Sequence, residues 1–97
     1  MKKFVLVHIG FEQPTPEIMT AWEEWFKSIA EITMENVGLG PAVEVSAEGT
    51  KDLPFDNSAV TGYTVIQTES KDKAVEIAQS CPFITGIGVY EVRSHQA

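Results

Sequence analysis

Apolar and polar residues alternate in four short stretches of the chain and recur every three or four residues in two longer stretches. Alternation is typical of a β-strand. The alternation covers four ranges, about 3–9, 42–47, 60–68 and 88–93. The longer spacing predicts one helix from Thr15 to the Gly38–Pro41 stop and a second from Ser70 to Pro82. The predicted order of elements is therefore β-α-β-β-α-β.

Both predicted helices begin at residues that cap helix N-termini. Thr15 precedes Pro16 and Glu17, which supply a side-chain acceptor, a preset backbone angle and a charge that the helix dipole favours. Ser70 with Asp72 marks the start of the second helix. Two helices crossing one face of an antiparallel sheet predict a ferredoxin-like α+β fold with strand order 4-1-3-2, as a single domain over residues 1–97.

The two faces of the predicted sheet differ in polarity. One face is almost wholly apolar and is expected to lie under the helices: Val5, Val7, Ile9, Val43, Val45, Tyr63, Val65, Tyr90 and Val92. The other face is mixed: Phe4, Leu6, His8, Glu44, Ser46, Gly62, Thr64, Ile66, Val89, Glu91 and Arg93. A mixed face suits a second sheet packed across a partly polar cavity, so we expect a homodimer with facing sheets, a dimeric α+β barrel. A monomer with an exposed apolar face is the alternative.

Composition narrows the classes of partner. The net charge is −7, from 7 Lys+Arg against 14 Asp+Glu, and no basic stripe occurs, so we expect neither nucleic acid nor an anionic membrane surface as a partner. The apolar run after Met1 stops at His8 and Gly10, too early for a secretion signal. The single cysteine cannot form an intrachain disulfide. These features favour a cytoplasmic protein.

Six segments, taken in order, resemble the YCII-related family, also called DGPF-domain proteins. They are Lys2–His8, Thr15–Trp22, Asp52–Phe55, Gly62–Ile66, Ser80–Pro82 and Tyr90–Arg93. The resemblance covers nearly the whole chain and implies a dimeric α+β barrel.

The chain departs from the family at the positions proposed to be active. Some family members are thought to use a His on the first helix and an Asp before the Pro that follows the second helix. Here the matching positions are Trp25-Phe26-Lys27 and Cys81, and Leu53 replaces the Gly of the DGPF signature. The resemblance therefore brings no catalytic pair to this chain, and whether it is an enzyme stays open.

The candidate site residues follow from strand parity on the mixed face. His8 is the candidate general base, with Glu91 as the residue that orients it, and a satisfied core His is the alternative. Arg93 and Thr64 would bind a polar ligand group, although Glu91 and Arg93 also suit a structural pair across the dimer. The apolar walls would come from Phe4, Leu6 and Trp25. Trp22 and Phe26, together with Trp25, could also contact a flat aromatic ligand, but residues at this helical spacing are more often plain core.

Other motifs point away from metal or cofactor chemistry. Glu48, Asp52 and Asp56 lack metal-ligand spacing, and no phosphate-binding or zinc motif occurs, so we expect no cofactor and no metal. Cys81 lies on an apolar helix stripe and is interpreted as packing. Three functions stay open: a cofactor-free enzyme acting on a small molecule, a non-catalytic ligand-binding module, and a protein-interaction scaffold.

Overall fold

Six strands and two helices follow one another in residues 1–93, the part of the chain that the computed structural model describes. Their bounds are β1 Lys2–Ile9, α1 Pro16–Ser28, β2 Thr33–Gly38, β3 Val43–Ser46, β4 Gly49–Asp52, β5 Val60–Thr68, α2 Lys71–Gln79 and β6 Gly86–Glu91. Four strands form an antiparallel sheet in the order β2-β5-β1-β6, and β3 and β4 form a separate hairpin. The predicted α+β class, with an antiparallel sheet and two helices, is confirmed.

Both helix starts are where the capping residues predict them. The Thr15 hydroxyl accepts a hydrogen bond from the Ile18 N–H at 3.2 Å. The Ser70 hydroxyl accepts one from the Lys73 N–H, also at 3.2 Å. Each bond satisfies one of the N–H groups that a helix leaves unpaired in its first turn.

The first helix is much shorter than predicted. It ends at Ser28, whose hydroxyl donates to the Trp25 carbonyl at 2.6 Å, and Ile29 leaves helical geometry with φ −113° and ψ 9°. Thr33, which the prediction placed inside the helix, instead begins β2 and donates its hydroxyl to the Ile29 carbonyl. The helical spacing of Ile29 and Ile32 hid this boundary, because β2 gains its hydrogen bonds from β5, a distant segment.

The predicted second strand at 42–47 is wrong as a member of the main sheet. Its alternation does form a strand, β3, but that strand pairs only with β4 through a turn that Gly49 permits with φ +122°. Val43 and Val45 are 55% and 77% exposed, so they are not in the core. The place beside β5 is taken by β2.

The helices cover the opposite sheet face from the one predicted. Phe4, Leu6 and Ile66 are fully buried, and they pack against side chains from both helices and their ends: Trp25, Ile29, Ala74, Ala78 and Cys81. The prediction excluded this face from the core because of its four ionisable residues, His8, Glu44, Glu91 and Arg93. Three of those residues never enter the core: Glu44 is in the hairpin, and Glu91 and Arg93 are exposed. The fourth, His8, is buried with a hydrogen-bond partner.

The face predicted to be core is therefore the open face of the sheet. It carries Val5, Val7, Ile9, Val37, Tyr63, Val65 and Tyr90. The first six are half-buried within the chain, and Tyr90 is exposed. This open face is more apolar than the mixed face that was expected to be free.

Candidate functional site

A pocket of about 480 Å³ lies on the helix-covered side of the sheet, between the start of α1 and the ends of β1, β2 and β5. Its walls are mainly apolar and aromatic, and they include Phe11, Ile18, Trp22, Phe26 and Phe83. Phe11, Met19 and Phe83 are exposed at this site. A concave site of this size with a few polar groups is typical of small-molecule binding.

Two glycines keep one wall of the pocket free of side chains. Gly62 of β5 is opposite both His8 of β1 and Gly38 of β2, and all three line the pocket. A Cβ at Gly62 would come within 2.6 Å of the Val37 carbonyl oxygen, so that position requires glycine for backbone packing. A Cβ at Gly38 would meet nothing within 4 Å, so Gly38 borders open space.

The polar centre of the site is a chain of three side chains on neighbouring strands. His8 Nε2 is 2.9 Å from Thr64 Oγ1, and Thr64 Oγ1 is 3.1 Å from Asn36 Oδ1. Strand register explains the arrangement, because Thr64 is opposite Asn36 on one side and, on the other, is two residue pairs away from His8. The three residues share one sheet face by the alternation of side chains along each strand.

The direction of the hydrogen bonds sets the protonation of His8. Thr64 has one hydroxyl proton and donates it to Asn36 Oδ1. Thr64 must then accept from His8, so Nε2 carries the imidazole proton and Nδ1 carries a lone pair. Nδ1 is buried and has no hydrogen-bond partner among residues 1–93. The imidazole is thus held as a neutral acceptor.

Burial and aromatic packing reinforce the neutral form. His8 is 8% exposed, and its ring packs edge-to-face against Trp22 and Trp25, with centroids 5.2 and 5.9 Å away. Burial lowers the pKa of His8 from its ordinary value of 6.5, because the imidazolium loses hydration. At neutral pH, therefore, His8 is uncharged and can accept a proton or a hydrogen bond.

The charges at the pocket are negative. Glu12 and Glu23 are the carboxylates among the lining residues, and no Lys or Arg of the described chain lines it. Both carboxylates are exposed to solvent. The pocket therefore offers aromatic surface, a neutral histidine and two acidic groups, which is unfavourable for an anion.

The structure unites only part of the predicted site. His8 and Thr64 are in contact, as expected. Glu91 is opposite Phe4, whereas His8 is opposite Ile87, so Glu91 is four residues further along β6, about 13 Å at 3.3 Å per residue. It pairs instead with Lys2 at 3.7 Å on the surface. The expectation that Glu91 orients His8 is wrong. Thr64 contacts His8 instead, and Asn36 in turn contacts Thr64.

The remaining predicted residues are also away from the pocket. Arg93 is exposed two residues beyond Glu91, at the other end of the strand from His8. Phe4 and Leu6 are fully buried in the core. Trp25 is core as well, and its indole N–H donates to Ser80 Oγ at 3.1 Å. The cavity was expected between two sheets, but α1, not a second sheet, covers the pocket within the chain.

Sequence reasoning missed Asn36 and the glycine pair. Asn36 was assigned to the first helix, so its strand register opposite Thr64 was hidden. The available signal was the stretch Thr33–Gly38, whose Thr33, Val37 and final glycine favour a strand over a helix. Trp22 was a candidate wall for a flat aromatic ligand, with core packing as the preferred interpretation, and in the structure it packs on His8 and lines the pocket.

Other chemistry predicted from the sequence can be placed. Cys81 is 5% exposed, and burial raises the pKa of its thiol to about 12, which agrees with a packing role. Within residues 1–93, no group of three or more potential ligands is arranged to hold a metal ion. No helix in the described part of the chain is long and apolar enough to cross a membrane.

Comparison with models of known protein families gives no match to the chain, and comparison with curated proteins gives none.

Proposed function

We propose that this protein is a homodimeric domain that binds a small, largely apolar molecule in the pocket beneath α1. The observation that carries the proposal is the pairing of exposed aromatic walls with a buried, oriented histidine. Exposed apolar side chains beside a concavity usually mark a binding surface. A buried acceptor without a partner costs free energy that a ligand donor would recover.

A cofactor-free enzyme is one form of this function. The neutral His8, held in one tautomer by Thr64 and Asn36, has the properties of a general base, since its proton is fixed on Nε2 and its lone pair on Nδ1. A non-catalytic binding module is the second candidate. It is favoured by the lining, whose two carboxylates, Glu12 and Glu23, are exposed to solvent and are not among the hydrogen-bond partners of His8.

A pair of glycine variants tests the pocket. Gly38 and Gly40 both have open space where a Cβ would be, but only Gly38 lines the pocket. Gly38→Leu is therefore expected to fill part of the pocket, and Gly40→Leu is its control. With neutral one- and two-ring aromatic molecules and isothermal titration calorimetry, we expect wild type and Gly40→Leu to bind and Gly38→Leu to bind at least tenfold more weakly. Absence of binding to wild type, or equal binding to both variants, contradicts the proposed site.

The homodimer is proposed to form through the open sheet face. That face presents seven apolar side chains on four strands without a covering layer from residues 1–93, and a two-fold axis would bring two such faces together. Burial of an unpaired charge at the centre of the open sheet face, near Val7, costs several kcal/mol, and the two-fold symmetry would bury two such charges in each dimer. We expect wild type to sediment at about twice 10.7 kDa and Val7→Lys to sediment as a folded monomer. Gln79→Lys, on exposed α2 surface, is the matched control. A monomeric wild type contradicts the proposal.

The same proposal includes the finer fold and family. If the β3–β4 hairpin is treated as an insertion, the other elements follow the order β-α-β-β-α-β, and this supports a ferredoxin-like domain that pairs as an α+β barrel. Membership of the YCII-related family rests on the resemblance described above. A crystal structure with two sheets facing across a two-fold axis is the test of the barrel.

A further inference from the structure

The site contains one polar atom whose bonding capacity is unused. His8 Nδ1 is buried and has no partner within residues 1–93, and no other side-chain nitrogen or oxygen in that range that is completely shielded from solvent lacks one. Most buried polar groups in proteins are hydrogen-bonded, and an exception calls for an explanation. The tautomer fixed by Thr64 makes Nδ1 an acceptor, so the group that completes it must be a donor.

The lining restricts the charge of that donor. Glu12 and Glu23 stand at the pocket, and its described residues include no cationic side chain, so a ligand carboxylate or phosphate would lose hydration without gaining an ion pair. Phe11, Trp22, Phe26 and Phe83 supply flat apolar surface for a ring. Arg93, which the sequence made a candidate for binding a polar ligand group, does not line the pocket and so supplies no positive charge for an anion there.

We propose that the pocket takes a neutral, ring-sized molecule that carries an O–H or N–H group, and that this group donates a hydrogen bond to His8 Nδ1. The inference rests on the proposed ligand-binding function and adds the ligand class and the contacting atom. The bound state satisfies all three members of the chain: the ligand donates to Nδ1, Nε2 donates to Thr64, and Thr64 donates to Asn36.

Trp22 is the side chain whose movement admits the ligand to Nδ1. Nδ1 is covered in the structure, and Trp22 and Trp25 are the aromatic rings packed on the imidazole. Trp25 is buried and its N–H is bonded to Ser80, so it is fixed. Trp22 is half-buried and lines the pocket. A rotation of Trp22 therefore opens the imidazole at the lowest cost in packing.

Matched probes separate this inference from the broader function. 2-Naphthol and 2-methoxynaphthalene share a ring system, but only the first has a donor, and 2-naphthoate adds an anion. By isothermal titration calorimetry we expect 2-naphthol to bind at least about tenfold more tightly than 2-methoxynaphthalene, which is ~1.4 kcal/mol. 2-Naphthoate is expected to bind more weakly still.

The alternative outcomes have different meanings. A purely apolar pocket would favour 2-methoxynaphthalene, the less polar molecule. Equal or tighter binding of that probe therefore overturns the donor inference and leaves the pocket intact. Absence of binding by all three probes, and by the other ring molecules tested above, overturns the pocket and the inference together.

A spectroscopic measurement locates the hydrogen bond. The chain has two histidines, so the His95→Gln variant leaves His8 as the single source of histidine ¹⁵N signals. We expect the free protein to show an Nε2-protonated imidazole, and 2-naphthol to shift the Nδ1 resonance while 2-methoxynaphthalene does not. An Nδ1-protonated imidazole in the free protein, or equal shifts with both probes, contradicts the inference. Chemical denaturation of His95→Gln beside wild type checks that the substitution leaves the fold unchanged.

Discussion

Replacement of Thr64 by Val removes the central link of the His8–Thr64–Asn36 chain with little change in shape. The hydroxyl of Thr64 accepts from His8 Nε2 and donates to Asn36 Oδ1, and the residue is fully buried. Valine has nearly the same volume as threonine, so the substitution leaves no cavity that would lower stability further. The variant therefore isolates the polar contribution of one oxygen atom.

The two partners respond differently to the loss. Asn36 is exposed, so its carbonyl oxygen can bond to water at little cost. His8 is 8% exposed, so its Nε2–H is left buried without an acceptor. A buried donor that loses its partner costs about 1–3 kcal/mol. We therefore expect Thr64→Val to lower the free energy of unfolding by that amount through His8 alone.

Thr68→Val is the matched control. Thr68 is on the same strand and the same face, is 6% exposed, and makes no side-chain hydrogen bond within the described chain. Both variants gain the same apolar methyl group, and the difference between them reports the hydrogen bonds. In urea denaturation we expect Thr64→Val to be about 1–3 kcal/mol less stable than Thr68→Val, or about 5–20 °C lower in melting temperature for a domain of this size.

The result that refutes the reasoning is a Thr64→Val protein as stable as Thr68→Val with an unchanged His8 tautomer. Thr64→Ser provides the rescue test, since it keeps the hydroxyl and loses only a methyl group. We expect it to retain the Nε2-protonated imidazole by ¹⁵N NMR even though it loses some packing energy. Loss of the tautomer in Thr64→Ser would show that the methyl group, not the hydroxyl, orients His8.

Three further predictions use single measurements. The pKa of His8 is below 6.5 in the folded protein and has its ordinary value in the unfolded chain, so the unfolded state binds more protons near pH 6. The free energy of unfolding should therefore fall as the pH drops below about 6.5, by at most about 1.4 kcal/mol per pH unit. Denaturation curves at pH 5–7 should show this pH dependence in wild type, and His8→Phe should lack it. Cys81 should react with a thiol reagent at pH 7 far more slowly in the native protein than in denaturant, and rapid native labelling would contradict its burial and its pKa of about 12. Gly10→Ala should destabilise the protein by more than about 1 kcal/mol, because Gly10 has φ +113° and a Cβ would come within 2.9 Å of the Thr85 backbone N, whereas Gly40→Ala should have little effect in the same thermal melt.

Local signals predicted the elements whose ends are defined by local bonds. Thr15 and Ser70 begin helices because each side chain bonds a backbone N–H three residues away, and a sequence displays that relation directly. The central strands β1 and β5 were found for a similar reason, since their alternation extends over eight and nine residues. These features needed no knowledge of tertiary packing.

The errors concern choices that only tertiary contacts decide. Residues 33–38 fit a helical spacing, yet they form β2 because β5 offers a free edge. The wrong sheet face was predicted to be the core. The polar residues that argued against burial were all assigned to the mixed face, although Glu44 lies in the hairpin and Arg93 is exposed beyond the end of β6. Because β2 was not predicted, the contact of Asn36 with Thr64 could not be predicted either, and the role of orienting His8 was given to Glu91. His8 and Thr64 were found because their shared face follows from parity alone.

The position of β1 has a consequence for how the chain folds. This strand is central in the sheet, yet its neighbours β5 and β6 begin at residues 60 and 86, so every hydrogen bond it makes within the sheet closes a long loop. Contacts of such long sequence separation slow folding, because the entropy of loop closure is lost before the contacts form. At a synthesis rate of about 5–20 residues per second, β1 leaves the ribosome roughly 3–12 s before β5. During that interval its Val5 and Leu6 have no strand to pair with, so the nascent chain exposes its most apolar segment until the second half is made.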